Sequence, residues 1–313
     1  MSQKSEIYAQ GYEKWEGQRD YAVQPWWLIA KAGFKNVVTP SGCMGRFVFI
    51  FLFIIPLGNY FFLVISGNIA RFQYDNLKKS EIFGELAQGL ASMFSQANID
   101  PSEAAIHMGY ILYSSIVFGI AGMIFYGAQL ISKDKWANAL QVYFAKAISR
   151  TDYILGKFLA VGFLTAIVSL LPSAVILVLG IVLIPEKWPF ILESWYVPVL
   201  TGSYWVLLTT VLGSITLFFS SIFNKAYMSS VGIIGFSFFS FVFSKLLVFI
   251  FGSSNFLKGL DWISGLINVG ESIFLLKVEN WGLLIWQVID LSVICVVFIY
   301  LIYRNVRPVE VIK

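Results

Sequence analysis

Histidine, cysteine and charge are all scarce in this chain of 313 residues, which holds one His and two Cys and has only 13% charged side chains. Each shortage removes a class of function. With His107 as the sole imidazole, a zinc hydrolase of the HExxH kind is excluded, because its metal needs two histidines one helical turn apart. Cys43 and Cys295 supply neither a zinc knuckle nor a disulfide framework, so both read as small apolar residues. Proteolysis by paired aspartates within a membrane also fails, since Asp290 is the only acid inside any long apolar run. A nucleotide-hydrolysing centre is missing too. Gly156-Lys157 ends like a phosphate-binding loop, but that loop requires Gly at 151 and Ser or Thr at 158, where the chain has Thr151 and Phe158. No catalytic residue and no metal ligand is therefore expected.

The chain has apolar length instead. Hydrophobic residues reach 58% and aromatic ones 17%, whereas in a soluble domain charged residues alone come to about 25%. Crossing ~30 Å of hydrocarbon takes about 20 mostly apolar residues. Six runs qualify, at about Phe47 to Ser66, Ile106 to Ser132, Phe158 to Ile184, Tyr196 to Ser221, Met228 to Phe251 and Leu283 to Tyr303. The expected fold is all-α and polytopic: a tail and interfacial helix over 1–46, a six-span domain over 47–303 and a short tail over 304–313.

An even number of spans puts both termini on one side, and the bias of Lys and Arg says which. With the N-terminus in the cytoplasm, inside segments hold 15 basic residues against 6 outside, while acids run 7 to 10 the other way. Both tails are therefore placed in the cytoplasm of a multi-pass cell-membrane protein. The net charge of +4 reflects that topology and does not suggest a nucleic-acid partner. The first 46 residues are polar and mixed in charge, so no signal peptide is expected and the first span serves as the insertion signal.

Four connecting segments carry pattern. Over 25–40, Trp27, Ala30, Phe34, Val37 and Val38 fall on one helical face and Lys31 and Lys35 on another, predicting a helix in the membrane interface with Trp26 and Trp27 at headgroup level. Ile82, Phe83, Leu86, Leu90, Met93 and Phe94 predict an outer helix over 80–95, packed on the span ends or acting as a lid. Residues 253–282 are too short and too glycine-interrupted to cross, which suits short re-entrant helices. Between the second and third spans, Trp136, Leu140, Tyr143, Phe144 and Ala147 recur at helical spacing, rimmed by Lys133, Lys135, Lys146 and Arg150. That stripe fits a partner's groove or the headgroup layer equally well. Within the bilayer, Lys245 and Asp290 lie at equal depth on successive spans, predicting an ion pair that pins two helices or latches a gate. Pro56, Pro172 and Pro198 are candidate kinks.

The inner segment has a further property. Gly127, Asp134-Lys135, Ala139-Leu140, Tyr143-Phe144, Ile148-Ser149-Arg150, Tyr153 and Gly156-Lys157 resemble, in order, the region after the second span in ABC transporter permeases of the type-2 exporter class. The tail with Tyr303, Arg304, Arg307 and Pro308 is similar to the basic end of such permeases, and the interfacial helix resembles their elbow helix. Many members carry a proline before the Ser-Arg turn, where this chain has Ala147-Ile148. The resemblance implies a coupling helix at about 135–148 that docks an ATPase through Asp134, Lys135, Trp136, Leu140, Tyr143, Phe144 and Arg150. It implies an elbow built on Trp26, Trp27, Lys31, Phe34 and Lys35. It also implies two ATPase subunits that bring ATP and Mg, and a second copy or a related permease to complete the pathway, with no cofactor bound by this chain. Apolar walls favour export of lipid-like, peptide or amphipathic cargo. A secondary transporter using Asp290, or a non-transporting membrane scaffold, stays open on the residues alone.

Overall fold

A computed structural model describes residues 24–38, 110–145, 148–183, 195–275 and 280–306, with isolated positions at 46–47, 50, 54, 58, 191–192 and 278. The expected first span, the outer helix over 80–95, Cys43, His107 and Pro56 lie outside the described residues or on their isolated positions. All regular elements among the described residues are helices: α1 (Pro25–Val38), α2 (Ser115–Gly122), α3 (Gln129–Trp136), α4 (Ala139–Ala145), α5 (Arg150–Val168), α6 (Leu170–Leu183), α7 (Val197–Ile222), α8 (Ala226–Phe251), α9 (Asn255–Gly259), α10 (Trp262–Leu275) and α11 (Trp281–Asn305). Wide π-helical turns, π1 (Tyr110–Ser114) and π2 (Met123–Gly127), lead into and follow α2. Five helices among the described residues are long and apolar enough to cross a bilayer: Leu112–Trp136, Arg150–Val168, Val197–Ile222, Ala226–Phe251 and Trp281–Asn305.

The bundle is organised around α7. Its neighbours are α5, α6, α3, α8 and α11, and Tyr204, Leu208, Val211, Leu212, Ile215 and Leu217 are almost wholly buried along its length. In the apolar windows of the composite span, α5 and α7, 56% of residues are buried, against 17% in α8 and 11% in α11. The last two helices are therefore the outer wall. Between them α9 and α10 pack against α11, where Gly259 lets the chain approach Trp286 closely and Gly265 lies beside Leu291.

Irregular backbone inside the bundle is matched by hydroxyls from neighbouring helices, because a bilayer offers no water to satisfy freed groups. The π2 turn leaves carbonyls and the first N–H groups of α3 without helical partners. Ser230 of α8 donates to Ile124 O at 2.7 Å, and Gln129 Nε2 donates to Phe125 O at 2.6 Å. Ser220 of α7 accepts from Ile131 N at 2.9 Å and Ser132 N at 3.0 Å while donating to Ala128 O at 2.9 Å. Gly127 permits this approach, since an added Cβ would stand 2.6 Å from the Thr216 methyl. The α5–α6 junction follows the same rule. Pro172 has no N–H for the Val168 carbonyl, the helix breaks at Ser169, and Ser115 donates to Val168 O at 3.5 Å. Pro198 differs from expectation: it sits in the first turn of α7, where its missing N–H costs nothing, so it starts the helix rather than kinking it.

The third span begins at Arg150, eight residues before the apolar run suggested. Ser149 and Asp152 form a reciprocal capping box, with Ser149 Oγ accepting from Asp152 N at 3.0 Å and Asp152 accepting from Ser149 N at 3.3 Å. This polar start lets α5 carry α1 along its flank. Ile29, Ala30 and Gly33 of α1 are buried against Gly156 and Ala160 of α5, and the rings of Trp27 and Phe34 lie 5.8 and 5.2 Å from that of Phe163. Of the stripe read from periodicity, Ala30 is fully buried and Trp27 and Phe34 reach Phe163, while Ile29 and Gly33, outside that stripe, complete the buried face; the small Ala30 and Gly33 permit the close crossing.

A Cβ added at Gly156 would meet Ile29 Cβ and the Trp26 carbonyl at 2.7 Å, whereas one added at Gly235 meets nothing within 4 Å. Helix propensity alone favours alanine at both by about 1 kcal/mol. Gly156→Ala is therefore expected to lower the thermal unfolding midpoint of the detergent-purified protein, by about 1–3 kcal/mol of overpacking, while Gly235→Ala holds or raises it.

Candidate functional site

The polar centre of the described structure is the corner where α3 ends and α4 begins. Asn138 turns the chain there with φ of 52°, a left-handed conformation that asparagine tolerates better than most side-chain-bearing residues. The turn is closed by Ala137 N donating to Lys133 O at 2.9 Å and Asn138 N donating to Lys135 O at 3.1 Å. Successive residues on the last turn of α3 point about 100° apart, so Asp134 and Lys135 reach different helices.

Asp134 turns to α5. Its Oδ2 lies 2.7 Å from Lys157 Nζ and accepts from the Tyr153 hydroxyl at 2.7 Å, with the two charged side chains only 17% and 7% exposed. Lys157 Nζ also stands 5.3 Å from the centroid of the Tyr153 ring. A lysine among apolar neighbours is costly unless an acid meets it, and here acid, hydroxyl and ring do so together. Tyr143 and Phe144 of α4 close over the pair, their rings 5.6 and 6.1 Å from that of Tyr153, and Leu140 is buried beside them. Burial, and then the charge of Asp134, raise the pKa of the Tyr143 hydroxyl, so it stays protonated at neutral pH. A cavity of about 100 Å³ adjoins the pair, bounded by Ile29, Gly33, Tyr126, Gln129 and Lys133.

Lys135 turns to α7. Its Nζ donates to Ser221 O at 2.7 Å and Ile222 O at 3.3 Å, a cation on the exposed carbonyls of a helix C-terminus. Asn305 Nδ2 donates to Ser221 Oγ at 3.2 Å, tying the end of α11 to the same point. The corner is a bracket clamped to α5 on one side and α7 on the other.

The expected docking residues, Trp136, Leu140, Tyr143 and Phe144 from periodicity and Asp134, Lys135 and Arg150 from the resemblance, are divided by this geometry. Asp134, Lys135, Leu140, Tyr143 and Phe144 face inward. Trp136, separated from α4 by the Asn138 turn, points outward at 67% exposure, with Lys225 Nζ 5.7 Å from its ring centroid. Val142 joins it at 54%. Arg150 lies elsewhere, in a groove against α11. Sequence reasoning gave no role to Tyr153 or Lys157, although a lysine opening an apolar run is itself a signal that an acid must be near.

The expected Lys245–Asp290 ion pair is corrected by the structure. Ser240 and Ser244 donate to Leu260 O at 3.0 Å and Leu257 O at 2.7 Å, which fixes the inward face of α8. Lys245 is one residue further round and is exposed, its Nζ 5.7 Å from the Phe241 ring centroid. Asp290 is half-buried, and its buried Oδ2 has no hydrogen-bond partner among the described residues. A match in sign and in position along successive spans does not fix rotation about a helix axis.

The sequence profile described as ABC-2 family transporter protein matches residues 27–277, which takes in α1 through α10 and the whole bracket. The chain belongs to the ABC-2 transporter family. No curated protein and no solved structure matches it. The permease is accordingly a multi-pass membrane protein of a transport system and not its catalytic component.

Two predictions follow from the charged pairs of the permease. Asp134→Ala leaves a buried ammonium unpaired and should destabilise by about 3–5 kcal/mol, whereas Asp134→Leu with Lys157→Met should recover most of that loss; chemical denaturation of the detergent-solubilised protein measures both. Asp290→Asn removes a carboxylate that is partly buried with no hydrogen-bond partner for its Oδ2 among the described residues, so the thermal midpoint should rise by about 2–4 °C, near 1 kcal/mol, and Lys245→Ala should leave it unchanged.

Proposed function

We propose that the permease passes its cargo under the drive of two separate ATPase subunits that grip the α3–α4 corner from the cytoplasm. ATP and Mg are held by those subunits. The observation that carries this reading is the double clamp of the corner: Asp134 fixes it to α5, while Lys135 and Ser220 tie α3 to α7. A displacement applied at Trp136 and Val142 is therefore delivered to two spans at once rather than absorbed in a loose loop. Such coupling needs only two bundle packings that differ by a few kcal/mol and that the ATPase biases.

The excess of Lys and Arg on the segments adjoining this corner supports a cytoplasmic placement for it and for the N-terminus. The position of α1 supports an elbow role, with exposed Lys31 and Lys35, half-exposed Trp27, and a buried edge on α5. The apolar outer face of α8 supports association with a second permease to complete a pathway for amphipathic cargo.

The docking surface is the outward rim, not the inward aromatics. Trp136→Glu with Val142→Glu should reduce co-purification of the ATPase at least tenfold while leaving the permease's thermal midpoint near that of the unaltered chain. ATPase binding that survives both substitutions would remove the corner from the interface.

A further inference from the structure

A groove of about 740 Å³ runs along the outer wall between the start of α5 and the end of α11, lined by Arg150, Val296, Ile299, Tyr300, Tyr303 and Arg304. Its lining is segregated. Val296, Tyr300 and Tyr303 recur at i, i+4 and i+7, so they form one stripe roughly 10 Å long on α11. Arg150 opens α5 and Arg304 lies in the last turn of α11, so both guanidiniums stand at the same polar end of two spans. Tyr303 is held at that boundary by its hydroxyl, 2.9 Å from Thr151 Oγ1.

The basic pair has no internal use. Lys157 has Asp134, and Lys135 has the carbonyls that end α7. Among the described residues neither Arg150 nor Arg304 has a hydrogen-bond or ion-pair partner. Two unneutralised guanidiniums above an apolar, membrane-facing stripe complement an amphiphile with an anionic head and a hydrocarbon chain. Guanidinium groups bind phosphate oxygens in a fork geometry, tyrosines settle at the headgroup boundary, and basic pockets between spans collect acidic headgroups. We propose that this groove is a binding site for one acidic phospholipid, with its phosphate between Arg150 and Arg304 and an acyl chain along Val296, Ile299 and Tyr300. The inference uses only the membrane position of α5 and α11, so it stands or falls separately from the ATPase reading.

The test uses the full-length permease in neutral detergent, titrated with phosphatidylglycerol or phosphatidylcholine and followed by native mass spectrometry. One phosphatidylglycerol should be retained per chain at a concentration at least tenfold below that needed for phosphatidylcholine. Arg150→Gln with Arg304→Gln should erase that preference. Val296→Trp, which fills the groove and keeps both charges, should weaken phosphatidylglycerol retention at least tenfold and serves if the double variant does not fold. Three results would overturn the site. Retention could be unchanged in a folded double variant. Millimolar inorganic phosphate could displace the lipid while Val296→Trp has no effect, which would mark a bare anion site. The double variant could lose the ATPase but keep the lipid, which would assign the arginines to protein docking.

Discussion

A lysine ammonium enclosed between α1, α3 and α5 sets the terms for one end of the bundle. Lys157 follows Gly156 on α5 and its side chain is almost wholly buried, beside a small cavity that Ile29 and Gly33 of α1 also line. Its charge can be held there only by a partner brought to it, and that partner is Asp134. Once Asp134 is committed, the rotation of the last turn of α3 is decided. Lys135 must then point toward the end of α7, and Trp136 must point away from both. Three neighbouring residues thus have different fates because one of them has none to choose.

The remainder of the bundle shows the same economy of polar groups. A composite span with two π-helical turns would be costly beside lipid, yet Ile124 O, Phe125 O and Ala128 O at π2 are met by a hydroxyl or a side-chain amide. Ser220 alone serves three backbone groups of the segment 128–132. The same holds where Pro172 interrupts the third span and Ser115 supplies the donor. Thr165 and Thr209 share a hydrogen at 2.7 Å, and Trp205 Nε1 donates to Gly162 O at 3.0 Å, so α5 and α7 are joined by directional bonds as well as by packing. Bonds of this sort are individually modest in membranes, and their effect here is positional: they fix the register of the two helices that the corner clamps.

What the sequence made legible was governed by averages, and what it concealed was governed by rotation and by single residues. Runs of apolar side chains located the last three spans to within a turn but missed the start of the third by eight residues, because crossing a bilayer depends on summed transfer energy and a polar first turn adds nothing to that sum. The periodicity of Trp136, Leu140, Tyr143 and Phe144 suggested one continuous helix, since nothing in an apolar count registers that Asn138 will adopt positive φ. The capping box at Ser149 and Asp152 was present in the letters but lay outside the apolar run used to draw the span. Lys245 and Asp290 were matched by sign and depth, two coordinates out of three, and the missing one put them on different faces. For the elbow helix, the apolar pattern named Ala30 and the aromatics that reach Phe163 but passed over Gly33, because an apolar count does not register the residue whose missing side chain permits the close approach.

Charge in this permease divides by whether the chain itself supplies the counter-group. Asp134, Lys157 and Lys135 are answered internally, and their consequence is rigidity at the corner. Asp290 has no counter-cation among the described residues and its buried Oδ2 has no hydrogen-bond partner, so it adds nothing polar to the contact of α10 with α11, which rests on packing, as at Gly265 and Leu291. Arg150 and Arg304 form the remaining category: cations at a helix boundary, turned outward, with an apolar stripe beneath them. A clamped corner and an outward basic groove share α5, which begins at Arg150 and carries Lys157 two turns later. Any force that tilts α5 through the corner therefore moves one wall of the groove relative to α11, and whatever occupies the groove resists or favours that tilt according to which spacing it fits.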